Sequence, residues 1–245
     1  RTMNTKFLVA ALALASLVAC HRQDPQAEAK AQAAQAAAQE AAATDAAKAF
    51  DAAVAQQNWR LAKAQGDVLI AQFPQSQAAQ RVRAQMADVK AKADAAREGE
   101  RTAALWSYDK EAVQGGGTQL SAAIYSRDPV DTGGGAQPVR LIFRDHPSWG
   151  RSSYLVLAGG DFDKACYGHC KVMVTVDDQA PKAMAANRPK TDEAIAMFID
   201  DHKGLWKLAK SAKTLTIEFP VKGYGKKTAV FETAGLDATQ LPKWN

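Results

Sequence analysis

The stretch Val139-Arg140-Leu141-Ile142-Phe143-Arg144 places Val139, Leu141 and Phe143 at every second position. A period of two is typical of a β-strand that buries one face. Similar short runs lie before and after it, separated by glycine-rich turns, so residues 104–245 are predicted to be rich in strands. The other predicted strands cover residues 105–108, 119–126, 153–158, 171–176, 214–219 and 228–232.

The spacing of these strands favours an antiparallel β-sandwich or barrel over a parallel sheet, because parallel strands need long helical crossovers between them. One predicted helix interrupts the strands. Asp200 or Asp201 is suited to cap it, and Leu205, Leu208 and Ala209 lie on one of its faces. We therefore predict a mostly antiparallel β-sandwich domain with one helix over residues 104–245.

The preceding segment, residues 45–100, has the spacing of helices instead. Thr44 or Asp45 is suited to cap a first helix, a second begins at Trp59, and Ser76 is suited to cap a third. The helical pattern ends among the charges of residues 97–101, which mark the predicted domain boundary. Three helices followed by a strand-rich domain place the chain in the α+β class.

The helical segment resembles a tetratricopeptide-type hairpin of the kind found in envelope assembly proteins. The likeness rests on 50–54, a turn, Ala62 with Gly66, and the run Phe73-Pro74-Gln75-Ser76. A stable solenoid needs at least about three such repeats. A plain helical hairpin is therefore the alternative interpretation.

The N-terminal run Leu17-Val18-Ala19-Cys20 closes an apolar stretch that starts at Phe7 and follows Lys6. It resembles a bacterial lipobox, which implies a signal peptide over residues 1–19 and a lipid, palmitate among its acyl chains, on Cys20. The apolar stretch has the length of a signal h-region and is shorter than the ~20 residues of a membrane span. Plain secretion or a cytosolic N-terminus is the alternative.

Residues 20–44 are mostly Ala, Gln, Glu and Lys and lack an apolar stripe, so we predict a largely solvated, partly helical tether. His21, rather than aspartate, follows the lipobox cysteine. In the best-known sorting scheme for lipoproteins, this arrangement implies the outer membrane, with the protein facing the periplasm.

Cys166 and Cys170 are the cysteines that remain once Cys20 carries a lipid, and an oxidising compartment favours a disulfide between them. Gly168 permits the tight turn that such a bridge needs. A metal site with His169, or two free thiols, are the alternatives, but a closed zinc site needs a fourth ligand. No metal and no cofactor is predicted.

The net charge is +5, or +3 once Arg1 and Lys6 leave with the signal peptide, which is too small an excess to indicate nucleic-acid binding. The basic turn contains Lys222, Tyr224, Lys226 and Lys227 and is the predicted binding surface. It suits an anionic polymer or an acidic protein face. Lysines that protect a strand edge from aggregation are the alternative.

The sequence holds none of the common nucleophile, zinc-protease or phosphate-loop motifs, so no catalysis is expected. Asp161, Asp163, Asp177 and Asp178 are interpreted as turn residues. A hydrolase of envelope or cell-wall polymer is the alternative, and it requires these carboxylates to converge on one cleft.

The strand-rich part also resembles small secreted β-sandwich proteins of the invasion-associated locus B type. The likeness rests on Trp106-Ser107-Tyr108, residues 172–177, Leu215-Thr216-Ile217-Glu218 and Val230-Phe231-Glu232. It implies a binding role. The sequence thus predicts a lipid-anchored periplasmic binding protein with a protein partner, either an assembly accessory or a toxin-inhibiting immunity lipoprotein.

Overall fold

A computed structural model describes residues 25–244, which form two compact units that divide after Lys90. The predicted signal peptide, Cys20 and the start of the tether lie outside the described residues. Among the described residues, no helix combines the length and the apolar character that crossing a membrane requires.

The first unit is built from α1 (Pro25–Ala55), α2 (Trp59–Gln72) and most of α3 (Gln77–Ala103). Its core is made of small and aliphatic residues around one aromatic ring: Ala43, Ala47, Phe50, Ala53, Ala62, Leu69, Ala78, Val82 and Val89. The three predicted helices are therefore present. The tetratricopeptide likeness stays a prediction.

Ser76 caps α3 as predicted, because its Oγ accepts a hydrogen bond from the backbone N–H of Ala79 at 3.0 Å. Glu40 of α1 supports the same end by accepting bonds from the N–H groups of Gln77 at 2.9 Å and Ala78 at 3.2 Å. A carboxylate at this end also complements the helix dipole. The start of α3 is thus fixed to α1.

The predicted start of the first helix at Thr44 or Asp45 is wrong. Both residues lie inside α1, which begins at Pro25, so most of the predicted tether is helical. Residues 25–39 are exposed on every side of this helix. Alanine has the highest helix propensity of all residues, and it sustains the helix here without a buried face. The predicted boundary at residues 97–101 likewise falls inside α3.

The second unit contains a sheet of nine antiparallel strands, in the order β1-β2-β5-β6-β9-β8-β7-β10-β11, and a separate pair, β3-β4. The strands are β1 (Trp106–Ala112), β2 (Thr118–Tyr125), β3 (Val130–Asp131), β4 (Ala136–Gln137), β5 (Arg140–His146), β6 (Gly150–Val156), β7 (Cys170–Val176), β8 (Lys182–Asn187), β9 (Ala196–Ile199), β10 (Leu215–Val221) and β11 (Gly225–Phe231).

This sheet curls over a single core. Inward residues from one end of the strand order, such as Ile124 and Phe143, share a cluster with Ile217 and Phe231 from the other end. The backbone N–H of Arg127, just after β2, donates to the carbonyl of Val230 on β11 at 2.7 Å. The two halves of the predicted sandwich are therefore parts of one continuous antiparallel sheet, and the α+β class is confirmed.

The seven predicted strands are present, with ends that differ by a few residues. Four strands, β3, β4, β8 and β9, were not predicted. β8 has the sequence Lys-Ala-Met-Ala-Ala-Asn, which contains no β-branched or aromatic residue. β9 has only four residues. Their place between longer strands, rather than their own propensity, makes them strands.

One end of the curled sheet is covered by α4 (His202–Ser211), the one predicted helix of this domain. Asp201 caps it, because its carboxylate accepts from the N–H of Gly204 at 2.8 Å. Trp206 of α4 is completely buried and lies against Phe143 and Trp244, with ring centroids 5.0 and 5.2 Å away. These rings fix β5 from its inner side, and its other side carries Arg140, Arg144 and the buried Ile142.

Candidate binding surface

The outer side of β5, β6 and β9 carries a cluster of rings around an arginine. Because side chains alternate along a strand, the inward residues of these strands fill the core and the others face out. Outward-facing Ile142, Tyr154 and Phe198 are aligned across the three strands. We call Arg144, Trp149, Tyr154 and Phe198 the arginine–aromatic face.

The guanidinium of Arg144 lies between two rings. Its Cζ is 5.3 Å from the ring centroid of Trp149 and 5.2 Å from that of Tyr154. The ring of Phe198 continues the row, 5.2 Å from that of Tyr154. Cation–π attraction at such distances is worth about 0.5–2 kcal/mol, depending on exposure. Two rings thus hold one guanidinium in a defined position on a rigid strand.

Trp149 is the most exposed large apolar residue among those described, with 71% of its surface accessible. It is nevertheless fixed, because its ring stacks on His146 with centroids 3.8 Å apart. Nδ1 of His146 accepts from the backbone N–H groups of Ser148 at 3.1 Å and Trp149 at 3.2 Å. The turn between β5 and β6 therefore presents an ordered indole to solvent.

No carboxylate among the described residues lies within salt-bridge distance of Arg144. No carboxylate or other hydrogen-bond acceptor among the described residues contacts its guanidinium, and its Nε is buried without a partner. Ser152 lies directly across from it on β6, and its Oγ is also buried without a partner. An unsatisfied buried polar group costs about 1–3 kcal/mol. Arg140, four residues earlier on the same side of β5, also has a buried Nε without a partner, but its terminal nitrogen lies 3.7 Å from a carboxylate oxygen of Asp109.

The composition of the outward positions on these strands resembles that of a protein–protein interface. They carry Arg, Tyr, Phe and His, the adjoining turn carries Trp, and β5, β6 and β9 contain no lysine or glutamate at all. Interface centres are enriched in aromatic residues and arginine and depleted in lysine and glutamate. The most energetic interface residues are Trp, Tyr and Arg.

The sequence contains a signal for this face that the strand prediction did not use. Val139, Leu141 and Phe143 gave the predicted strand its period of two. Arg140 and Arg144 lie on the opposite side of that strand. Tyr154 likewise lies on the outward side of the predicted strand 153–158. The pairing of β5 with β6, which the sequence does not specify, is what brings Arg144 between two rings.

The predicted disulfide between Cys166 and Cys170 is present, with Cα atoms 4.7 Å apart. Sulfurs bonded to each other are not available as thiolate ligands, which removes the metal alternative with His169. Within residues 25–244, no group of three or more His, Cys, Asp or Glu side chains is arranged to hold a metal ion.

A buried arginine that the sequence analysis did not single out organises the disulfide loop. Arg188 is 2% exposed, and its guanidinium donates to the carbonyls of Phe162 at 2.6 Å, Pro189 at 3.2 Å and Thr191. Its Cζ lies 4.6 Å from the ring centroid of Tyr167, inside the disulfide loop. Arg188 is thus a structural residue, with acceptors on three loop positions.

The predicted basic turn does bring its four residues together between β10 and β11. Two of its lysines face carboxylates, since Lys226 lies 2.8 Å from Glu218 and Lys222 lies 3.9 Å from Asp161. Lys227 stacks on Tyr224, with its Nζ 5.7 Å from the ring centroid. These local partners reduce the charge that the turn offers to a ligand.

The four turn aspartates do not converge. Asp163 lies beside the end of β10, where its N–H donates to Pro220. Asp177 lies beside the start of β10, where its carboxylate accepts from the N–H groups of Lys213 and Thr214. A seven-residue strand separates them by about 20 Å. Each of the two carboxylates satisfies its own turn, and the four form no common cleft.

Comparisons with known proteins give one structural neighbour to report. No protein-family model and no curated protein matches the chain. The crystal structure of invasion associated protein B from Bartonella henselae matches with a TM-score of 0.36 and 14% sequence identity, over 57% of this chain and 91% of that chain. That protein bears the name of the type to which the strand-rich part was likened.

Proposed function

We propose that this chain is a lipid-anchored, non-catalytic binding protein of the bacterial envelope, and that the arginine–aromatic face holds its protein partner. One observation carries the proposal. Arg144 is held between Trp149 and Tyr154 with no acceptor among the described residues. A preorganised, unpaired guanidinium beside an exposed indole is the combination from which interface hot spots are built.

The lipobox likeness supports the anchor, and the disulfide supports an oxidising compartment. An outer-membrane lipoprotein facing the periplasm agrees with both. Either an assembly accessory or an immunity lipoprotein would use such a face, because both act by occupying a partner. The dispersed aspartates give the hydrolase alternative no assembled carboxylate site.

The test is retention of a partner by the full-length, lipidated chain. Envelopes of the bacterium are crosslinked and solubilised, and the tagged chain is recovered as wild type, as R144Q/W149A, and as R127Q, which removes one positive charge elsewhere. We expect a stoichiometric protein partner with the wild type and R127Q. Loss of one hot-spot residue, worth about 2 kcal/mol, weakens binding by about 30-fold, so R144Q/W149A is expected to lose at least that much.

A third variant, K222Q/Y224A/K226Q, removes the basic turn that the sequence predicted as the binding surface. Retention of the partner by this variant, with loss by R144Q/W149A, assigns binding to the arginine–aromatic face. Recovery of no partner, together with hydrolysis of cell-wall fragments by the purified chain, would refute the proposed function.

A further inference from the structure

We infer that the Arg144 site binds a carboxylate, and that the occupant of the arginine–aromatic face is an acidic segment of another protein. The inference rests on the proposed function and specifies its partner. No carboxylate among the described residues forms an ion pair with Arg144, and no acidic residue occurs at an outward position of β5, β6 or β9; Asp200, directly after β9, accepts a hydrogen bond from Asn187. A partner that supplies a carboxylate completes this site.

The terminal N–H groups of Arg144 determine how the carboxylate approaches. The rings of Trp149 and Tyr154 lie 5.3 and 5.2 Å from its Cζ, and among the described residues its guanidinium donates no hydrogen bond, so these N–H groups are available to an acceptor. Carboxylates accept from the edge of a guanidinium through two parallel N–H···O bonds. Because Nε is buried, the two terminal nitrogens are the pair that makes these bonds.

The exposed indole of Trp149 determines what must flank the carboxylate. Its ring extends the surface beyond Arg144 and is available for apolar contact. The matching partner therefore carries an Asp or Glu next to an apolar side chain. Backbone pairing does not contribute, because β5, β6 and β9 are all bonded to neighbours on both sides and offer no free edge.

A second copy of this chain docked through the same face does not satisfy the site. A two-fold contact pairs the face with itself, so it would place two Arg144 charges in one interface to which the face contributes no carboxylate. Like charges that meet in a desolvated interface oppose association. Charge complementarity thus selects an acidic partner over self-association through this face.

The experiment uses two peptide probes on the full chain, Ac-Leu-Asp-Leu-NH₂ and its neutral counterpart Ac-Leu-Asn-Leu-NH₂. Binding is followed by NMR through the side-chain Nε–H signal of Arg144 and the indole N–H signal of Trp149. We expect both signals to shift with the Asp peptide at millimolar concentration, which corresponds to about 4 kcal/mol of binding free energy. The Asn peptide binds at least about tenfold more weakly.

Three variants serve as controls. R144Q abolishes the response of the indole signal, R144K retains charge but loses the two-point contact and binds about tenfold more weakly, and R127Q binds like the wild type. The salt dependence adds a check, because a charge pair at this exposed site weakens at high ionic strength.

Equal shifts with the two peptides, or no shift with either up to about 10 mM, would overturn the carboxylate assignment. Neither result touches the proposed function, which depends on partner retention by the face. Conversely, a carboxylate response from a chain that retains no partner and hydrolyses cell-wall fragments would leave the Arg144 site standing and remove the proposed function.

Discussion

The role of Arg188 as the organiser of the disulfide loop predicts a large loss of stability in R188M. Methionine fills much of the same volume, but it leaves the carbonyls of Phe162, Pro189 and Thr191 without their donor. Each lost bond to a charged donor is worth about 1.5–3 kcal/mol, and part of this returns because the buried charge is removed as well. The contact with Tyr167 adds about 0.5–2 kcal/mol.

The expected net loss in R188M is therefore about 3–5 kcal/mol in the free energy of unfolding. Urea titration of the oxidised chain measures it, with the unfolding of the strand-rich unit followed by tryptophan fluorescence. Lys190 is exposed and close in sequence, so K190M is the matched control, expected within about 0.5 kcal/mol of the wild type. A loss below about 1 kcal/mol in R188M would refute the view that this residue holds the three loop positions together.

Four further predictions follow from other parts of the chain. Replacing Cys166 and Cys170 by serine costs about 2 kcal/mol by the loop-entropy relation for so small a ring, and urea titration of the double variant, compared with the oxidised wild type, checks this; equal stabilities would contradict it. G66A changes the stability of the helical unit by no more than about 1 kcal/mol, because the Met86 sulfur that would lie 2.4 Å from the added Cβ is at the flexible end of its side chain and can move, and alanine favours the helix; a loss above about 2 kcal/mol in thermal unfolding followed by circular dichroism contradicts this. C20S moves the protein from the membrane pellet to the soluble periplasmic fraction, and unchanged fractionation rules out the lipid anchor. Burial raises the pKa of Tyr108, so stability declines as the pH rises above about 10, and Y108F lacks this decline in titrations at alkaline pH.

The sequence predicted the inward half of the fold well, because burial imposes a period that can be read directly. Leu141 and Phe143 were placed on the core side, and both are buried there. The caps at Ser76 and Asp201 were found for a similar reason, since each depends on residues only three positions apart. Local interactions of this kind do not require knowledge of the topology.

The parts that were not predicted depend on distant partners. β8 and β9 are strands because β7 and β6 pair with them; β8 lacks β-branched and aromatic residues, and β9, although it contains Phe198 and Ile199, has only four residues. The early start of α1 was not predicted because residues 25–39 have no apolar stripe, whereas alanine-rich sequence sustains an exposed helix. Arg188 was missed because its acceptors come from loops up to 26 residues away in the chain.

The candidate site also contains one part that neighbouring residues determine and another part that strand pairing determines. The basic turn was found because its residues are adjacent in sequence, and three of its charged groups have local partners that the sequence did not reveal. The arginine–aromatic face needs the register of β5 against β6 and β9 before its members can be seen as neighbours. The basic turn was therefore predictable from residues adjacent in sequence, whereas the unpaired Arg144 was recognised only from the strand pairing.

Rigidity favours the arginine–aromatic face over the basic turn as the source of binding energy. Ordering a long side chain on binding costs about 0.5–1.5 kcal/mol in conformational entropy. The exposed lysines of the basic turn would each lose this amount. Arg144 is already ordered by two rings, and Trp149 by its stack on His146. The Nε of Arg144 and the Oγ of Ser152 are already buried without a hydrogen-bond partner in the free protein. Binding of a partner therefore adds no further desolvation cost for these two atoms. Most of the interaction energy with a carboxylate at Arg144 is therefore available for affinity, whereas the same contact at Lys226 must first displace Glu218.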